Sequence, residues 1–177
     1  MISNSCAELE TKSIFVGLSA RQLQKLSQCM ALRTFAPGEI ILQEGSCEKS
    51  LNIIRTGKVR IFKSAEGGNR ILLAELCGKK NLLTQYGGEF FGEMSLFDFE
   101  PVSATVIAAE PCEIWQITQA DLLDLFSQDK DLQLTLLMNL VRVLSRRLRL
   151  ANQHSQARLT ARNLKGPSAK ILEKTRH

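Results

Sequence analysis

Histidine is nearly absent from this 177-residue chain, with His154 and His177 the only two. Neither has a second ligand candidate at helical spacing, so no metal centre is expected. No apolar run approaches the roughly 20 residues that cross a bilayer. The opening MISNSCAELETKS lacks a charged stretch followed by an apolar one. Neither a membrane span nor a secretory signal is therefore expected. The five cysteines (Cys6, Cys29, Cys47, Cys77 and Cys112) are scattered, odd in number and without a C-x-x-C pair. That spacing suits idle or buried thiols in a reducing cytoplasm and excludes a cysteine-ligated cluster. G-x-S-x-G, H-E-x-x-H and Walker A patterns are missing, as is any nucleophile beside a base. The chain is accordingly read as a protein that is not an enzyme. Aromatic residues make up 6%, and none follows Phe126, which denies the C-terminal part a base-stacking platform.

What is present is ordinary for one globular domain: 44% hydrophobic and 23% charged residues. The net charge of +5 is unevenly placed. From Arg142 onward, Arg142, Arg146, Arg147, Arg149, Arg158, Arg162, Lys165, Lys170, Lys174 and Arg176 face a single acid, Glu173. A basic stretch can meet nucleic acid or an anionic surface. It can equally be the solvated face of a helix, and no helix-turn-helix follows it, so nucleic acid is not the expected partner.

The chain changes character twice. After an N-terminal extension, residues 1–17, Leu18 to Met30 reads as a helix. Ser19 and Gln22 form a capping box, and Leu23, Leu26 and Met30 fall at helical spacing. From about 31 to 117 come short apolar runs: 39–43, 51–54, 58–62, 70–74, 104–108 and 113–117. Pro37-Gly38, Glu44-Gly45, Thr56-Gly57, Gly67-Gly68 and Gly87-Gly88 punctuate them, the pattern of an antiparallel sandwich or barrel. Helices return over about 118–152. Thr118 and Asp121 cap one that carries Leu122, Leu123 and Phe126. A longer helix is expected from about Asp131. Its seam of Leu137, Val141, Leu144, Leu148 and Ala151 steps by four and three, as in a coiled coil. The proximal part of this stripe is expected to dock on the barrel, and the distal part to pair with a second copy or another protein. Gly166-Pro167 ends the helical pattern within the basic tail, 153–177.

The most informative stretch runs from Gly87 to Val106: GGEFFGEMSLFDFEPVSATV. It resembles the phosphate-binding cassette of the cyclic-nucleotide-binding domain family. Residues 35–45 resemble that family's opening strand–turn–strand, and residues 51–59 its next strand and glycine turn. The resemblance covers 18–152 and implies a mainly β fold with α. This is an antiparallel double-stranded β-helix, a jelly-roll-like β-roll, flanked by an N-terminal helix and C-terminal helices that include one long one. It also implies a regulatory sensor for cyclic AMP or cyclic GMP, with no metal. The ligand-binding residues it implies are Phe91, Gly92, Glu93, Met94, Ser95, Val102, Ser103 and Ala104, with Asn152 as a base reader on the long helix. In the family, the glutamate matching Glu93 accepts a hydrogen bond from the ribose 2′-hydroxyl, and the residue matching Ser103 contacts the phosphate. Glycines such as Gly88 and Gly92 permit tight turns there. The turn from Glu93 to Leu96 offers unsatisfied N–H groups.

The chain departs from the family pattern where a phosphate-pairing Arg should stand, for that position is Val102. Arg binds phosphate through a planar fork and a permanent charge, and Val offers neither. Losing one partner of a buried charged pair costs on the order of 2–5 kcal/mol. That lowers affinity by roughly thirty- to several-thousand-fold. Three readings follow. The pocket binds a cyclic nucleotide weakly or through a substitute cation drawn from Arg55, Arg60, Lys63, Arg70, Lys79 or Lys80. Alternatively, it is a degenerate pocket in a structural or protein-interaction module. Or it takes a less charged ligand. A second departure is the stretch 77–86 before the cassette, read as a longer hairpin whose Lys79 or Lys80 could fold over the site.

Overall fold

The computed structural model describes residues 7–78, 89–98 and 100–164. Lys79, Lys80, Gly87-Gly88, Gly166-Pro167 and the tail beyond 164 lie outside them. The strands form two four-stranded sheets. One orders β1 (Ala31–Phe35), β8 (Cys112–Thr118), β3 (Ser50–Thr56) and β6 (Phe90–Phe91); the other orders β2 (Ile40–Leu42), β7 (Thr105–Ala108), β4 (Lys58–Ser64) and β5 (Arg70–Cys77). The pairings are antiparallel, giving the expected β-roll. All six apolar runs are strands. Two further strands lie outside those runs. β1 is mostly exposed and carries no alternation, and β6 is only two residues long. Gly67 and Gly68, both at φ 76°, turn β4 into β5.

Helix α1 (Ala20–Cys29) starts on a complete capping box. The Ser19 hydroxyl accepts the Gln22 N–H, and the Gln22 side chain accepts the Ser19 N–H. Helix α2 (Glu93–Phe97) follows β6, and α3 (Gln119–Gln128) starts on Thr118, whose hydroxyl accepts the Asp121 N–H. The long helix α4 spans Lys130–Leu164. None of the described helices is long and apolar enough to cross a membrane.

The core has two parts. Leu51, Ile53, Trp115 and Ile117 pack against Leu23, Leu26, Leu122, Phe126, Leu132 and Leu136 of the helices. Between the sheets, Ile41, Leu42, Ile54, Val59, Phe91, Val102, Val106 and Ile114 form the second. The N-terminal stretch joins the first cluster, for Leu9, Ile14 and Phe15 are at most 1% exposed. Each such side chain stabilises the fold by roughly 1.5–3 kcal/mol. Asn139 of α4 fixes that stretch by donating to the carbonyls of Ile14 and Val16.

The long helix docks differently from the sequence expectation. Leu132, Leu136, Leu140 and Val143 are the residues buried against the roll. The seam read from the sequence lies about 100° further round the helix. Of it, Leu137 is half-buried, whereas Val141, Leu144 and Leu148 are exposed. The helix thus carries two apolar stripes. The more regular one, with coiled-coil spacing, is exposed from Val141 onward.

Candidate ligand-binding site

The cassette is built from β6, α2 and the extended run into β7. Register pairs Asn52 of β3 with Phe91 and so fixes where the chain must turn. Gly92 makes that turn at φ 83°, and a Cβ there would lie 2.5 Å from the Ser50 carbonyl oxygen and 2.9 Å from Asn52 Nδ2. Only glycine meets both demands. The turn delivers Glu93 as the first residue of α2, where its side chain is 8% exposed.

Beneath the turn lies a polar network. Fully buried Asn52 donates to the Ser50 hydroxyl and carbonyl. Gln116 donates to Asn52, Ser50 and Glu48. The Ser95 hydroxyl points down into this network, donating to the carbonyls of Gly92 and Glu48. Satisfied buried polar groups of this kind make the cassette backbone rigid.

Glu93 is not alone. Arg147, on the docked face of α4, donates from Nη1 to Glu93 Oε1 at 2.8 Å and from Nη2 to the Phe90 carbonyl at 2.6 Å. Its guanidinium sits 4.4 Å from the centre of the Phe90 ring, within cation–π range. One side chain therefore ties the long helix to both ends of the Phe90–Glu93 turn. Sequence reading assigned Arg147 no role. The signal was a charged residue continuing the stripe 132, 136, 140 and 143 at helical spacing, hidden because the other apolar stripe is the more regular.

The remaining candidate residues separate. Met94 and Ser103 are exposed beside one another, with the Ser103 hydroxyl 3.8 Å from the Met94 sulfur. Phe91 and Val102 are buried in the second core cluster, and Ala104 is buried as well. The backbone of Val102 is held on both sides, its N–H donating to Ser46 O and its carbonyl accepting from Gly45 N–H. Asn152 is exposed on α4. Five residues past Arg147, it is turned about 140° away from it.

Among the cations considered as substitutes, Arg55 is engaged by Glu8 and Glu113, and Arg60 by Glu75. Lys63 donates to the Ser103 carbonyl at 2.7 Å and pairs with Glu44 at 2.7 Å. This pairing, with the Ser64 N–H, pushes the Glu44 carboxyl down to about 2. No group of three or more His, Cys, Asp or Glu side chains among the described residues could hold a metal ion.

A β-roll that presents a glycine-turned glutamate to an arginine on a long helix defines the architecture of a regulatory ligand-binding domain. The family model described as cyclic nucleotide-binding domain matches residues 32–129. The chain belongs to the cyclic nucleotide-binding domain family, a family of regulatory domains. It is 33% identical over 140 residues to a cyclic AMP receptor protein from Thermus thermophilus, covering 78% of this chain and 58% of that protein. To a cAMP-dependent protein kinase regulatory subunit from Hypocrea atroviridis it is 28% identical over 106 residues, 60% of this chain and 20% of the subunit. The chain thus spans less than two thirds of either relative. In fold it matches the crystal structure of a cyclic nucleotide-binding domain from Methylobacillus flagellatus with TM-score 0.73 and 21% identity, over 89% of this chain and 83% of that one.

Proposed function

We propose that this chain is a non-catalytic regulatory sensor of the cytoplasm. It binds a cyclic nucleotide, cyclic AMP or cyclic GMP, weakly in the cassette and passes occupancy to a partner through α4. The observation that carries this reading is the Glu93–Arg147 pair. The buried carboxylate that would accept the ribose hydroxyl is the same group that holds the long helix. A carboxylate has about four lone-pair sites, so a sugar hydroxyl and Arg147 can share it. Ligand binding and helix position are then coupled through one side chain, and a ligand that favours one helix position shifts the population toward it. Met94, Ser103 and Ala104 would border the ligand, and Phe91, Val102 and Ser95 would support the cassette from behind. Val102 makes the binding weak.

The exposed stripe Leu134, Met138, Val141, Leu144 and Leu148 suits a second copy of the chain. Its three-and-four spacing complements itself about a two-fold axis. In such a dimer Asn152 would face the neighbouring copy. The second reading, a module that no longer binds nucleotide, is favoured by Val102 itself. At 5% exposure it continues the apolar core where a charge should stand. Titration calorimetry with cyclic AMP and cyclic GMP separates the two. Saturable heat below millimolar ligand is the expected result. No heat up to millimolar ligand, together with a co-purifying protein, would establish the second reading instead.

A further inference from the structure

We propose that Lys63 supplies the positive charge for the nucleotide phosphate that Val102 cannot, an assignment that rests on the cyclic-nucleotide reading above. The position follows from strand alternation. Val59 and Ile61 of β4 face the core between the sheets, so Lys63, two residues on, continues that inner face at its open rim. Register places Phe62 opposite Thr105 of β7, which brings Lys63 alongside the residues that lead from Val102 into β7. The ammonium closes that distance by donating to the Ser103 carbonyl at 2.7 Å. The same Ser103 lies against Met94, the neighbour of Glu93. A ligand whose ribose meets Glu93 and whose phosphate meets Ser103 therefore brings its anion to Lys63. On β5 the residue opposite Lys63 is Ile71, 53% exposed. The cation thus stands at the edge of an open apolar surface suited to the uncharged part of a nucleotide.

Among the described residues, the other cations weighed as substitutes do not share this position. Arg60 and Arg70 occupy alternate places on β4 and β5, on the outer face, and Arg55 is engaged at the N-terminal segment by Glu8. Lys63 has three donors. Ser103 and Glu44 take one each, and the half-exposed ammonium has a third for a phosphate oxygen. Glu44 is also an anion beside the phosphate, so the compensation is incomplete. A lysine held by a competing carboxylate replaces only part of an arginine fork.

The test is calorimetry on the full chain with cyclic AMP and with adenosine, which lacks the phosphate. Lys63→Met should lower the ratio of cyclic AMP to adenosine affinity about tenfold, the equivalent of ~1.4 kcal/mol. Lys63→Arg should hold the ratio within about threefold, and Glu44→Gln should raise it by removing the competing charge. An unchanged ratio in Lys63→Met, with cyclic AMP still bound by the unmodified chain, overturns the Lys63 assignment and leaves the sensor reading standing. If the unmodified chain binds neither cyclic AMP nor cyclic GMP, the sensor reading falls and the Lys63 assignment falls with it.

Discussion

Replacing Arg147 with Met should destabilise the domain by an amount that the geometry sets. The side chain of Glu93 is 8% exposed and that of Arg147 25%. Removing one member of a buried ion pair costs about 3–5 kcal/mol, because the other charge is left without a partner. The exposed quarter of Arg147 lets water recover part of this, so about 2 kcal/mol is expected. In a chain of this size each kcal/mol lowers Tm by about 2–4 °C. The variant should therefore melt roughly 4–8 °C lower by scanning calorimetry. Glu93→Gln in the same background should restore part of the loss, with a coupling energy of about 1–3 kcal/mol across the double-mutant cycle. Met keeps most of the length that lies over Phe90, so the cycle isolates the charge. Melting of Arg147→Met within about 1 °C of the unmodified protein, or strict additivity across the cycle, would refute the pair as the tie between α4 and the cassette.

Other consequences follow from single contacts. Gly92→Ala forces a side chain into positive φ and against the Ser50 carbonyl; a loss of about 1–3 kcal/mol should appear in urea unfolding. Glu44 has its carboxyl held near 2 by Lys63 and Ser64. Its folded value lies below its ordinary one, so its stabilisation is complete above about pH 4.5 and is lost as pH falls toward 2. Glu44→Gln should flatten the acid limb of stability in that window, and an unaltered limb would contradict the contact. Exposed Cys47 should react with a thiol reagent well before Cys112, which is buried and has its thiol pushed up by burial; equal rates would contradict the packing of β8. If the exposed stripe pairs two copies as proposed, glutamate at both Val141 and Leu148 should give a monomer in sedimentation equilibrium that keeps its folded circular dichroism, because neither residue packs on the roll.

Most of the roll was legible in the sequence because its strands are short apolar runs and its turns carry glycine. The capping boxes at Ser19 and Thr118 were legible because a cap is a local chemical pattern. What stayed hidden was non-local. β1 is mostly exposed and β6 is only the two residues Phe90–Phe91, too short to mark a strand alone; both are held as strands by pairing with β8 and β3. Glu93 could be placed from the cassette motif, but its partner lies 54 residues away in sequence, and its place on the stripe of Leu132, Leu136, Leu140 and Val143 does not say what it meets. The long helix misled for a physical reason. Two apolar stripes share it, and the one with the better heptad spacing is exposed beyond Leu137. Of the four substitute cations within the described residues, Lys63 stands out only through strand alternation and the Ser103 contact, neither of which is local in sequence.

The most direct test is a crystal of the full chain grown with cyclic AMP near saturation. We expect density in the cassette between Glu93 and Ser103, the ribose against Glu93 and the phosphate against Ser103, with Arg147 still reaching Glu93. A well-ordered cassette with no nucleotide density at saturating ligand would contradict the claim that this domain is a cyclic-nucleotide sensor.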